Sequence, residues 1–222
     1  MDKNKAGIEL LQDGKFEEAI KLFNEVINEN PKDPVGYINF GHVLSTVGEL
    51  ERAEKFYLRA IELDEHAGAA YYSLGNHYFK VERLEEATEM FEKAVQNGID
   101  SSDAYFMLGL CLMQAEQFRL ALPYLQRSVE LDEYDVEAGF QYGLCLCQAA
   151  LYDEAIKQLK KVLELDPEHP DALYNLGVAV AGHMDDPEMA LSYFNQALEI
   201  QPDHMLAGYG KKMMEKAMEN QQ

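Results

Sequence analysis

Tyr71-Tyr72-Ser73-Leu74-Gly75-Asn76-His77-Tyr78 and, nine residues on, Ala87-Thr88-Glu89-Met90-Phe91-Glu92-Lys93-Ala94 decide the fold of this 222-residue chain, because their pattern recurs. Outward from Gly75, glycine stands at Gly7, Gly41, Gly109, Gly143 and Gly177, always in steps of 34 residues. Alanine keeps the same step at Ala19, Ala53, Ala87, Ala121 and Ala155, with Ala190 one residue late. Four positions after each alanine comes Phe23, Tyr57, Phe91, Leu125, Leu159 or Phe194. Three positions after each glycine comes Leu10, Leu44, Tyr78, Leu112, Leu146 or Val180. Apolar steps of three and four are helical steps, so each unit holds two amphipathic helices, A and B. A fixed period of this length marks one supersecondary unit stacked on itself.

The small residues explain how the helices pack. Glycine inside a helix costs about 1 kcal/mol relative to alanine, so its recurrence points to close approach rather than to propensity. The glycine of helix A is expected to meet the alanine of helix B, and a bulkier residue at either would cost roughly 1–3 kcal/mol. Asn30-Pro31, Asp166-Pro167 and Gln201-Pro202 mark unit ends, since proline stops the preceding helix. Val47-Gly48-Glu49 reads as an A-to-B turn. Pro123 is expected to trim or kink the start of its helix B.

These residues resemble the tetratricopeptide repeat (TPR), whose 34-residue signature runs Trp, Leu-Gly, Tyr, Ala, aromatic, Pro. The third unit carries it as Tyr71, Leu74-Gly75, Tyr78, Ala87, Phe91 and Ala94. Tyr37, Tyr71 and Tyr105 stand in the tryptophan place, which Gly139 and Leu173 fill more weakly. The resemblance implies an all-α fold: a right-handed α-solenoid of antiparallel helix pairs forming a single domain. Its repeats would be 1–33, 34–67, 68–101, 102–135, 136–169 and 170–204, followed by a capping helix over 205–219. The sixth unit has one extra residue within His183-Met184-Asp185-Asp186-Pro187, where the aspartates suit an N-cap and Pro187 a first turn. In the final helix, Leu206, Tyr209, Met213 and Ala217 form an apolar stripe, as expected of a cap with a polar back.

Composition narrows the function. The net charge is -21, with 40 acidic against 19 basic residues. Nucleic acids and anionic membranes need a basic footprint, so neither is an expected partner. The longest apolar stretch, Ala104 to Met113, is too short to span a bilayer, and the first residues have no signal-peptide pattern. Cys111, Cys145 and Cys147 cannot form a full disulfide set, which suits free thiols in a cytoplasmic protein. No metal or cofactor is expected. The six histidines lack an i, i+4 pair on one helix, and Cys145 and Cys147 diverge on theirs. Nor does a nucleophile–base pair or phosphate loop emerge, so the reading is of a non-enzyme.

The resemblance implies that one face of helix A lines the concave side of the solenoid. It carries the positions three before the glycine, one after it, and four and five after it. This makes Tyr72, Asn76, Phe79 and Lys80 candidate peptide-binding residues in the third repeat and His42 in the second, to which Asn39, two before its glycine, is added as a polar candidate. Phe106, Leu110 and Met113 continue the series in the fourth repeat, Phe140 and Leu144 in the fifth, and Tyr174 in the sixth. Asp103, Glu137 and Asp171 form an acidic rim. An apolar patch with a polar rim marks an interaction site. Some TPR proteins grip a terminal carboxylate with Lys, Asn and Arg on this face. Here Ala69 and Ser73 stand where that clamp wants charge, which argues against one.

The residues thus point to an adaptor whose groove holds a partner's peptide, extended or helical, through apolar anchors and some Lys or Arg. Two other roles fit the same sequence. One is an assembly protein acting through self-association or its convex face, and the other an accessory subunit that recruits an enzyme.

Overall fold

The computed structural model describes residues 2–184 and 186–219, which contain thirteen α-helices and no strand. The chain divides into two compact units, Met1–Cys111 and Leu112–Gln222. The first holds α1 (Lys3–Gln12), α2 (Phe16–Glu29), α3 (Pro34–Thr46), α4 (Leu50–Leu63), α5 (Gly68–Lys80) and α6 (Leu84–Gln96). Helix α7 (Ser102–Gln114) runs across the division. The second holds α8 (Phe118–Leu131), α9 (Val136–Gln148), α10 (Tyr152–Leu165), α11 (Pro170–His183), α12 (Pro187–Ile200) and α13 (Met205–Glu219). Odd-numbered helices are the A helices and even-numbered ones the B helices. Within each unit, a helix packs on its neighbours in sequence, and A helices also pack on the next A helix.

Local chemistry sets the boundaries. Asp33 and Asp135 cap α3 and α9 by accepting from the amides of Val35 and Ala138 at 3.0 Å. His169 and His204 do the same for α11 and α13 through ring Nδ1, which accepts from Ala172 and Ala207 at 3.3 and 3.1 Å. Of the two aspartates read as caps in the sixth unit, Asp186 accepts from the Met189 amide at 2.8 Å, while Asp185 lies outside the described residues.

Each A-to-B turn of the first five repeats places one residue in the left-handed region: Gly14, Gly48, Glu82, Glu116 and Ala150, with φ of 73°, 84°, 61°, 57° and 60°. The next residue's amide then reaches back five residues, as from Glu49 to the Leu44 carbonyl at 2.8 Å and from Leu151 to Leu146 at 2.9 Å. Of the two effects expected of Pro123, trimming does not occur. Helix α8 keeps the fourteen residues of α2, α4 and α10 and passes through the proline.

The repeat glycines differ from expectation in their partner. The alanines of the B helices are wholly buried. Yet a Cβ added at Gly75 would sit 2.9 Å from the Phe91 ring, at Gly143 2.8 Å from Leu159 and at Gly177 2.6 Å from Phe194. The glycine therefore accommodates the large residue one helical turn past the alanine. Phe23, Phe91, Leu125 and Leu159 are buried completely in this way.

A second correction concerns α13. Its stripe of Leu206, Tyr209 and Met213 is exposed rather than buried. The inward side is formed by Ala207, which is fully buried, and by Gly210, whose Cβ position lies 2.9 Å from Phe194.

Candidate functional site

On the A-helix faces of the first unit, polar side chains bond one repeat to another, beside an exposed Ile8. Asn39 Nδ2 donates to Asn4 Oδ1 at 3.0 Å, linking α3 to α1. His42 Nε2 and the Ser73 hydroxyl share a hydrogen bond of 2.8 Å between α3 and α5. Lys80 Nζ donates to the Ser45 carbonyl at 3.1 Å. Tyr72, Asn76 and Phe79 are half-buried, and the Tyr72 ring lies 5.8 Å from that of Phe91. Three of the residues read as ligand contacts thus hold one repeat to the next. Burial lowers the pKa of His42, so its ring stays neutral at physiological pH.

Beside this face sits a buried cluster that the sequence reading did not single out. His77, on α5, has a side chain only 2% exposed, with Nε2 4.0 Å from Glu54 Oε2. Its Nδ1 is buried without a hydrogen-bond partner. The Tyr78 hydroxyl and Arg83 both donate to Glu54 Oε1 at 3.0 Å, and the guanidinium lies 4.2 Å above the Tyr78 ring. Burial lowers the His77 pKa, opposed by Glu54 and assisted by Arg83 and Lys80. Burial, with Glu54 assisting, pushes the Tyr78 phenol up to about 12.

On α7, Phe106, Leu110 and Met113 are half-buried and Asp103 is exposed. The second unit presents a different face. Leu144 and Tyr174 are half-buried. Phe140, expected to be exposed, is buried, because the His169 ring stacks on it with centroids 4.6 Å apart. The Tyr174 ring is similarly covered by His204 at 5.3 Å, and His204 Nε2 is hydrogen-bonded to Asp171 Oδ1 at 3.1 Å. Each capping histidine therefore also shields the aromatic residue of the preceding repeat.

Past them the surface is apolar and open. Val178 is 39% exposed, Met213 47%, Leu206 58% and Tyr209 66%. Allowing for the extra residue in the sixth unit, Tyr209 and Met213 occupy on α13 the places of Tyr174 and Val178 on α11. Leu206 stands at the rim place held by Glu137 and Asp171, both exposed.

The remaining candidates for chemistry are quiet. Burial pushes the thiols of Cys111, Cys145 and Cys147 up to about 11, which suppresses the nucleophilic thiolate. Among the described residues no group of three or more His, Cys, Asp or Glu side chains is arranged to hold a metal ion, and no helix is long and apolar enough to cross a membrane.

Comparison with known proteins gives a consistent picture. Residues 10–76 and 170–204 match families described as tetratricopeptide repeat, and residues 151–183 one described as TPR repeat. Residues 80–162 match the family described as anaphase-promoting complex, cyclosome, subunit 3. A 39-residue segment is 49% identical to the TPR repeat-containing protein YrrB of Bacillus subtilis (strain 168), spanning 18% of this chain and 19% of that protein. A crystal structure of YrrB, described as a TPR protein with an unusual peptide-binding site, superposes with a TM-score of 0.83 at 50% identity. That match covers 86% of this chain and 97% of YrrB's. A crystal structure of MamA protein is similar at 25% identity and a TM-score of 0.71, over 78% of this chain and 93% of that one.

Proposed function

We propose that this chain, which belongs to the tetratricopeptide repeat family, is a non-enzymatic interaction adaptor that holds a peptide segment of a partner protein against its A-helix faces. The observation that carries this reading is the open apolar surface of Val178, Leu206, Tyr209 and Met213 on α11 and α13. Apolar side chains left in water at equivalent places of successive helices are an interaction surface. YrrB, half identical to this chain, is described as having a peptide-binding site, which supports a peptide as the ligand class.

Leu110, Met113 and Leu144 extend the apolar character along the repeat series, and Asp103, Glu137 and Asp171 edge it with negative charge. Such an edge, in a chain of net charge -21, favours a ligand that combines apolar anchors with Lys or Arg. A carboxylate clamp is disfavoured, because Lys80 and Ser73 are already engaged with Ser45 and His42. Free thiols suit a cytoplasmic setting.

The test is capture of partner proteins by the wild type, by Tyr209→Glu/Met213→Glu and by Leu110→Glu/Leu144→Glu, each first verified as folded by circular dichroism. Cross-linking then maps the bound segment. A partner held by the wild type and lost from both variants supports the groove. A partner retained by both variants removes it from these faces. A mass that rises with concentration and falls in Tyr209→Glu/Met213→Glu assigns the surface to a second copy of the chain instead.

A further inference from the structure

The place four residues before the repeat glycine is Tyr37, Tyr71 and Tyr105, and then Gly139. In the first unit Tyr37 and Tyr71 fill the space beside the B helices α4 and α6. Tyr71 is 9% exposed, with Lys93 Nζ 5.9 Å from its ring centre. The Tyr37 ring lies 6.1 Å from that of Phe56, and its hydroxyl donates to the Pro31 carbonyl at 3.1 Å. Three repeats on from Phe56 stands Gln158, so the pair Tyr37–Phe56 becomes Gly139–Gln158 in the second unit.

The exchange opens the structure. Beside Gly139 and Gln158 a cavity of about 670 Å³ opens between α8, α9 and α10. Val129, Tyr142, Leu146, Val162 and Leu165 give it apolar walls. Gln158 is only 7% exposed, and its Nε2 donates to the Gly139 carbonyl at 3.2 Å. The same amide has a second N–H and its Oε1 to offer. Lys161 and Glu133, both lining the cavity, occupy the places of Lys93 and Pro31 around the resident tyrosines. The volume lies in the range of ligand-binding clefts.

We propose that this cavity is a socket for a tyrosine side chain presented by another protein, distinct from the A-helix faces. The space next to Gly139 itself is taken by Gln158 and Val162, each 3.2 Å from a Cβ built there, so the ring lies over these two side chains and against Leu146. Lys161 supplies the cation that Lys93 supplies to Tyr71. The phenol hydroxyl reaches the Glu133 backbone as Tyr37 reaches Pro31, with the Gln158 amide as a polar partner beneath. Glu133, Glu154 and Glu164 outnumber Lys157 and Lys161 at the opening, so a tyrosine flanked by Lys or Arg fits best.

The experiment titrates the full chain, labelled at its methyl groups, with N-acetyl-tyrosinamide and in parallel with N-acetyl-leucinamide. The expected result is a saturable shift at Leu146, Val162 and Leu165 with the tyrosine probe at millimolar concentration, and a weaker response to leucine. Gly139→Tyr/Gln158→Phe, which rebuilds the pair of the second repeat, should abolish the shifts and raise Tm. Lys161→Glu, on the exposed rim, should weaken binding about threefold. Absence of a saturable shift, equal response to leucinamide, or unchanged affinity in Lys161→Glu overturns the proposal, the last even if the filled variant does not fold. Tyr209→Glu/Met213→Glu should leave these shifts unaltered. Shifts confined to α13 instead would place aromatic recognition on the A-helix face and remove the socket, leaving the adaptor reading intact.

Discussion

The two units share one repeat and one packing scheme, yet differ in how much of the same helix face is bonded internally and how much is left apolar in water. In the first unit that face carries Asn39, His42 and Lys80, each hydrogen-bonded to a neighbouring repeat, with Ile8 the apolar residue left in water. In the second unit the same series runs through Leu144 and Val178 to Tyr209 and Met213, and ends in water. The core positions hardly vary, because every unit must bury a ring or leucine between a glycine and an alanine. Stacking leaves the outer face free of that demand. One unit uses the freedom mainly for cohesion, the other mainly for exposed apolar surface.

The largest effect tests the shared core. Phe91→Ala in the first unit and Phe194→Ala in the second should each lose about 3–5 kcal/mol in urea unfolding. A loss confined to one unit would break the claim that the cores are equivalent. The faces should then separate. Removing the His42–Ser73 bond by His42→Ala should cost roughly 1 kcal/mol. Val178→Thr, at the equivalent place four repeats later but in water, should change stability by under about 0.5 kcal/mol. Equal losses at the two sites would mean that the apolar face is structural after all.

The turns give a comparable effect of opposite sign. Ala150→Gly and Glu82→Gly relieve a left-handed backbone and should stabilise by about 1 kcal/mol, whereas Gly48→Ala should destabilise by a similar amount. Thermal melts of the three variants check this. The smallest effect is acid sensitivity of the first unit. His77 and His42 resist protonation when folded, while the unfolded chain takes up those protons near the ordinary value of 6.5. The unfolded state therefore binds more protons below that pH, and stability falls as pH drops through about 6.5. His77→Phe should flatten the decline of Tm, and an unchanged slope would remove His77 as its source.

The glycine and alanine series made the helix pairs readable, because they mark where backbones and rings must meet and leave few other solutions. The partner of the glycine was misread. Spacing alone does not tell whether a ring or a methyl group fills the gap, and at Gly75 it is the ring of Phe91. The outer side of α13 was misread for a related reason. An apolar stripe was equated with burial, although the repeat register puts Tyr209 and Met213 at the places of Tyr174 and Val178. Burial of Phe140 was invisible because it depends on His169, a cap whose ring folds back over it. Glu82, Glu116 and Ala150 gave no warning of a left-handed turn, since only glycine advertises that conformation in a sequence. Gly139 did stand out as a departure from the aromatic series, and the cavity is its direct result.

Within each unit no helix depends on one far away in the chain: every contact joins elements one or two steps apart. In kinetic terms, ordering such a structure closes only short loops, so a helix pair can form before its distant neighbours exist. Folding can begin at any pair and spread in either direction, and during synthesis each completed pair becomes the template on which the next one settles.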